Sequence, residues 1–286
     1  MTEGITLAAS ISVVAFVVGS MLSMGLSLTV RQVSEPLRNA KLVVLVLAAN
    51  FILAPAVAML LRGLIPLGEG HGIGLILLST AAGAPFLPKL AQTAKAAIAL
   101  SVGLMVLLMV ATVIYIPLVL PLLLPGVTVN PLDIARPLVV LMLIPLGIGL
   151  FIRARYADAG ARMRPIFAQI SNAALVILFV TMVLLNWRAL VDALSNGVFV
   201  TTALFIVTSF AIGFLVGGRD TGARAVTGLG TAQRNISASL VVASQNFADP
   251  GVLVVVLVGG ILMLSSLMPL AAALGRRYVA VQTQVV

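Results

Sequence analysis

Long runs with almost no charge constrain this chain more than any other feature. Apolar stretches separated by Arg, Lys, Pro or Gly cover residues 5–30, 40–61, 72–94, 96–124, 137–152, 165–187, 198–216, 225–246 and 252–274, nine in all. Each approaches or exceeds the ~20 apolar residues that one bilayer crossing needs. Only 9% of residues are charged and 61% are hydrophobic, whereas a soluble domain carries about 25% charge. A water-soluble fold is excluded. Nine crossings use about two-thirds of the 286 residues, at ~20 residues each, so no separate soluble domain fits. The chain reads as one transmembrane domain over 1–286, with halves at about 1–130 and 131–286.

The basic residues set the orientation. Arg31, Arg38, Lys41, Lys95, Arg153, Arg155, Arg162, Arg164, Arg219, Arg224, Arg276 and Arg277 fall on one side of a nine-span reading, and only Arg62, Arg136 and Arg188 on the other. Cytoplasmic loops collect Lys and Arg, so the N-terminus is expected outside and the C-terminus in the cytoplasm. A missed or invented helix in mid-chain would scramble this asymmetry. The first run lacks a basic leader and a cleavage-like small-residue pattern, and it is read as a retained span. Trp187 is expected to anchor the outer end of the sixth span. The net charge of +9 is therefore topogenic, and no nucleic-acid partner is expected.

Several chemistries are absent. With no cysteine and a single histidine, His71, the chain has no thiolate, disulfide or zinc-site candidate. It has no HExxH, no paired intramembrane aspartates, no histidine to serve a serine nucleophile and no P-loop. No enzyme, cofactor or resident metal is expected.

All eight acidic residues lie in expected loops or at helix ends, but two cations do not: Lys89 and Arg234. Each costs ~2.5–3.5 kcal/mol at a helix centre, so a buried pair implies function. Lys89 follows Pro85 and Pro88, which should break the third helix in mid-membrane. Arg234 lies in a polar stretch with Gln233, Asn235 and Ser237 after Gly228 and Gly230, which should interrupt the eighth. Two broken helices five spans apart are the signature of an inverted repeat, and the two cations should then share one polar region near the midplane. Gly19, Gly25, Gly147 and Gly149 read as close-packing points.

The sequence resembles the bile acid:sodium symporter family at particular motifs. Met21-Leu22-Ser23-Met24-Gly25-Leu26-Ser27-Leu28 is similar to its M-x-M-G-L-x-L helix. Asn50-Phe51-Ile52-Leu53-Ala54-Pro55 is similar to its Q-F-x-x-x-P helix, and Ala94 to Val102 to its A-K/R-G-x-x-A-L-S-V element. The resemblance implies a core containing two crossed, broken helices, a panel of further helices, and substrate in the cleft between them. It fails at the sodium ligands: Leu87 and Pro88 stand where the family has Ser-Asn, and Leu229 or Gly230 where it has glutamate.

The fold expected is an all-α polytopic membrane protein of nine transmembrane helices, an inverted-repeat transporter with two broken, crossing helices in a core-plus-panel arrangement. The function expected is secondary transport of a small organic anion across the cell membrane by alternating access, without sodium coupling. Sodium-coupled, bile acid-like symport is the alternative, and a passive channel a third. Substrate contacts are expected from Lys89, Arg234, Gln233, Asn235, Asn50, Thr80, Ser101 and Ser237, and the breaks from Gly83, Pro85, Pro88, Gly228 and Gly230. Partners are the anion and the lipid bilayer, with a homodimer compatible with the pattern.

Overall fold

A computed structural model describes residues 2–34, 38–124, 130–195 and 197–283, and every regular element in them is helical. Glu35, expected in a loop, lies outside them. Among the described residues seven helices are long and apolar enough to cross a membrane. The remaining two expected spans are helix pairs with an extended break.

The chain starts with α1 (Thr2–Ser27), a short α2 (Val30–Ser34) and α3 (Ala40–Ala48). Asn39 caps α3 by accepting from the Leu42 amide at 3.1 Å. A π-helical turn, Ala49–Leu53, joins α3 to α4 (Ala54–Leu64). Pro55 explains it: lacking an amide hydrogen and pushing against the carbonyl four residues back, it widens the preceding turn. The same device recurs at Val139–Leu143, ahead of Pro145, between α8 (Pro131–Leu138) and α9 (Ile144–Arg155). The first interrupted pair is α5 (Glu69–Thr80) and α6 (Leu87–Thr93), followed by α7 (Ile98–Leu123). After α10 (Ala157–Ser195) and α11 (Val198–Val216) comes the second pair, α12 (Thr221–Ala232) and α13 (Ile236–Asn246), and then α14 (Pro250–Thr283).

One helix overruns both of its expected ends. Pro165, expected to open a helix, lies inside α10, which begins at Ala157 and so carries Arg162 and Arg164. The carbonyl that Pro165 frees belongs to exposed Ala161 near the end of the helix, where its loss as an acceptor is cheap. At the other end α10 passes Trp187, with Arg188 over its ring at 5.7 Å, and runs on to Ser195. Hydropathy marks where a helix enters lipid and not where its backbone hydrogen bonds stop.

Small residues set the packing. Helix α1 lies along α9 and α10. A methyl on Gly25 would come within 2.9 Å of Gly149 Cα, one on Gly149 within 2.7 Å of the Leu22 carbonyl, and one on Gly19 within 3.2 Å of Ser171 Cβ. Gly147 faces open space and is not the packing point expected. Helix α11 runs along α12, and α5 along α14. The interior between these groups is filled by Met21, Leu77, Leu90, Met109, Leu240 and Val256, while Leu118, Leu122, Val176 and Leu215 point outward, as a lipid-facing surface allows.

Candidate functional site

The two interruptions meet inside the bundle. In the first, the chain leaves α5 at Thr80, is extended at Ala81 and runs without regular structure to Ala84. Gly83 takes φ +78° against the backbone of α7, where an added methyl would collide with the Met109 amide nitrogen. Thr112 of α7 holds the segment from both sides: its hydroxyl accepts from the Ala82 amide at 2.8 Å and donates to the Ala82 carbonyl at 3.0 Å. Pro88 then falls in the first turn of α6, where a missing donor is tolerated.

The second interruption is Gln233–Asn235 alone. Helix α12 continues through Gly228 and Gly230 to Ala232, so these glycines do not break it. They admit neighbours: a methyl on Gly228 would lie 3.0 Å from the Phe210 ring, and one on Gly230 3.0 Å from Leu87. Asn235 joins the breaks. Its amide donates to the Ala81 carbonyl at 2.9 Å, its side-chain nitrogen donates to the Gly83 carbonyl at 3.2 Å, and its Oδ1 caps α13 by accepting from Ala238 at 3.1 Å.

Arg234 is sealed in protein, at 0% exposure. Nη1 donates to Asn50 Oδ1 at 3.1 Å, and the guanidinium carbon stands 5.5 Å from the centre of the Phe205 ring. Nε and Nη2 have no protein partner, and among the described residues no carboxylate pairs with it. Asn50, in the π turn, donates onward to Thr231 Oγ1 at 3.2 Å and to the Val46 carbonyl at 2.9 Å. Two helix ends lie close in the chain to this junction: α12 ends two residues before Arg234, and α5 ends at Thr80, next to Ala81, whose carbonyl accepts from the Asn235 amide.

Lys89 stands elsewhere. Its side chain is exposed, with Nζ donating to Gln92 Oε1 at 3.3 Å. Lys89 borders the larger of two cavities and buried Arg234 backs the smaller, which joins it at Ser20, Pro85, Ser171 and Asn172.

Two adjoining cavities lie between α1 and α10 on one side and the interruptions on the other. The deeper, of about 210 Å³, is lined by Phe16, Phe86, Phe179, Gln233, Arg234 and Ser237, among others. The second, of about 490 Å³, is lined by Lys89, Gln92, Gln32, Arg164 and serines of α1. They meet at Ser20, Pro85, Ser171 and Asn172. Of the expected residues, Lys89, Arg234, Gln233 and Ser237 border this cleft, and Asn50 and Asn235 build the junction behind it. Thr80 and Ser101 are buried, and each donates its hydroxyl to its own helix, at Leu77 and Ile98. Sequence reasoning missed Arg164, Gln92 and Asn172. A detectable signal was the serine face of α1, Ser20, Ser23 and Ser27, at helical spacing.

Among the described residues no cluster of acidic or histidine side chains could hold a metal. Of the side-chain amide oxygens at the junction, Asn50 Oδ1 accepts from Arg234, Asn235 Oδ1 accepts from the Ala238 amide, and Gln233 Oε1 has no protein partner.

Interrupted helices meeting beside an internal cleft, in a bundle of apolar helices, define a membrane transport protein. The sequence pattern of the Sodium Bile acid symporter family matches residues 14–193, well over half of the chain, and the protein belongs to that family. The match contains α5, α6, Lys89 and Arg164, whereas Arg234 and the second interruption lie beyond it. No curated protein matches the sequence.

Proposed function

We propose that the protein is a secondary transporter of a small organic anion that works by alternating access without sodium. The observation that carries this is the pair of cavities against the junction of the interruptions, one of them holding an unpaired lysine. In this reading the seven continuous helices and the two interrupted pairs make nine spans, with the N-terminus outside and the C-terminus in the cytoplasm. The two interruptions are repeat-related, and α1, α9 and α10 form the panel against which the remaining helices move. Gln233, Ser237 and the first turn of α13 face the bound solute, with Asn50, Thr80, Ser101 and Asn235 as their support. The guanidinium of Arg234 supplies permanently the positive charge that a diffusible ion would bring to the two helix C-termini.

The test is uptake of labelled organic acids into proteoliposomes, with sodium or choline as the only cation. Uptake and affinity are expected to agree within about twofold between the two, and a tenfold or greater enhancement by sodium, about 1.4 kcal/mol, overturns the uncoupled reading. Sodium symport is the second reading, favoured by the free amide oxygen of Gln233 at the junction.

A further inference from the structure

Lys89 and Arg164 face the larger cavity from different walls. Lys89 belongs to α6, just past the first interruption, and Arg164 to α10, one residue before Pro165. Ser23 of α1 steadies the second by donating its hydroxyl to the Arg164 carbonyl at 3.4 Å. Both charged side chains are exposed, no carboxylate lines the cavity, and among the described residues neither cation joins an ion pair. Two positive charges that share one cavity repel, and an anion touching both turns that repulsion into two attractions.

The rest of the lining sorts by chemistry. Ser20, Ser23 and Ser27 spend their hydroxyl hydrogens on the carbonyls of Phe16, Arg164 and Met24, so they offer an anion no donor. Gln92 does: its oxygen accepts from Lys89, which leaves its amide hydrogens to the cavity, and Asn172 brings a second amide where the two cavities join. Beyond Asn172 the deeper cavity is walled by Phe16, Phe86 and Phe179 and holds no cation except the sealed Arg234. The accessible cations gather at one end, and at the other the aromatic walls stand beside only the neutral polar groups of Gln233 and Ser237.

The geometry points to a site for an amphipathic dianion of the phosphate-monoester class, its doubly charged head between Lys89 and Arg164 and its flat apolar body in the deeper cavity. This rests on the transporter reading and deepens it by giving the solute a head charge, a shape and an orientation. A lipid phosphate shares the head chemistry, and the experiment separates the two sources.

The full chain, in nanodiscs of phosphatidylcholine, is titrated with 1-naphthyl phosphate and with 1-naphthoate, which differ in head charge on one aromatic body. The phosphate is expected to bind at least about tenfold tighter, and Lys89→Gln and Arg164→Gln each to weaken it about fivefold or more while changing naphthoate by less than about twofold. Unchanged melting temperatures show that these variants are folded. Lys89→Arg and Arg164→Lys keep the phosphate preference, and Arg219→Ala, an exposed cation outside both cavities, leaves both affinities alone. No binding of naphthyl phosphate by the unaltered chain overturns the inference, as does a phosphate preference that survives both glutamine variants. Displacement of the probe by phosphatidylglycerol in the nanodisc also overturns it, in favour of a lipid headgroup. Uptake of other organic acids alongside any of these failures leaves the transporter reading standing. Binding as expected with no solute translocated keeps the site and removes that reading.

Discussion

Arg234 is a fully buried cation with few partners. One hydrogen bond to Asn50 and one aromatic face do not satisfy five guanidinium hydrogens. A buried ion carries a desolvation penalty of several kcal/mol that an apolar side chain of similar length does not. Arg234→Met, which still covers Phe205, is therefore expected to hold or raise the melting temperature in detergent while cutting anion uptake about tenfold at matched membrane expression. Lost stability together with normal uptake would make the residue a structural strut. Lys95→Ala is the contrast: Lys95 is exposed, with φ +52°, and lines neither cavity. Its removal should leave uptake unchanged. Both Lys89 and Arg234 were legible in the sequence as cations outside the loops, but their separation was not. Burial follows helical phase, and phase is lost across a break: Gly83 at positive φ and the turn at Pro85 and Phe86 reset the rotation of α6 before Lys89 is placed.

At the scale of elements, the interruptions are held by a few backbone bonds. Gly83→Ala should be severely destabilising, because a left-handed backbone costs a side chain about 1–2 kcal/mol and the new methyl would also strike the Met109 amide of α7. Gly147→Ala, in open space on α9, should be neutral or slightly stabilising by comparison. Asn235→Ala removes the α13 cap and leaves the Gly83 carbonyl without its donor, so a loss of about 2 kcal/mol or more is expected in thermal melts. Equal melting temperatures for the Gly83 and Gly147 variants would mean that the break is not rigid. Proline and glycine in the sequence announced two broken helices without fixing where they break. Pro85 and Pro88 end the first interruption instead of starting it, and Gly228 and Gly230 stay helical because their missing side chains admit Phe210 and Leu87. The polar run Gln233–Asn235 was the better marker, since each of its backbone groups needs a partner outside a regular helix.

At the scale of the whole molecule, function depends on whether the cleft opens to each side of the membrane in turn. The larger cavity is lined by exposed Gln32, Lys89 and Arg164, which the proposed topology places toward the cytoplasm, while Leu77, Leu78 and Val256 of α5 and α14 are buried. The absence of cysteine makes single-cysteine labelling clean. Pro66→Cys, exposed between α4 and α5, should react with an impermeant thiol reagent only from outside, and Arg219→Cys, exposed between α11 and α12, only from the cytoplasm. The reverse result inverts the proposed topology. Asn172→Cys then probes the mechanism, since Asn172 lines both cavities and its side chain makes no hydrogen bond within the protein. A transporter resting in this state should expose it readily to the cytoplasmic reagent and more slowly to the external one, because external access waits for the helices to rearrange. A transported anion should slow both reactions by occupying the cleft. A channel open to both sides has no such wait, so equal rates from the two faces, unaffected by any transported anion, would replace alternating access with a pore.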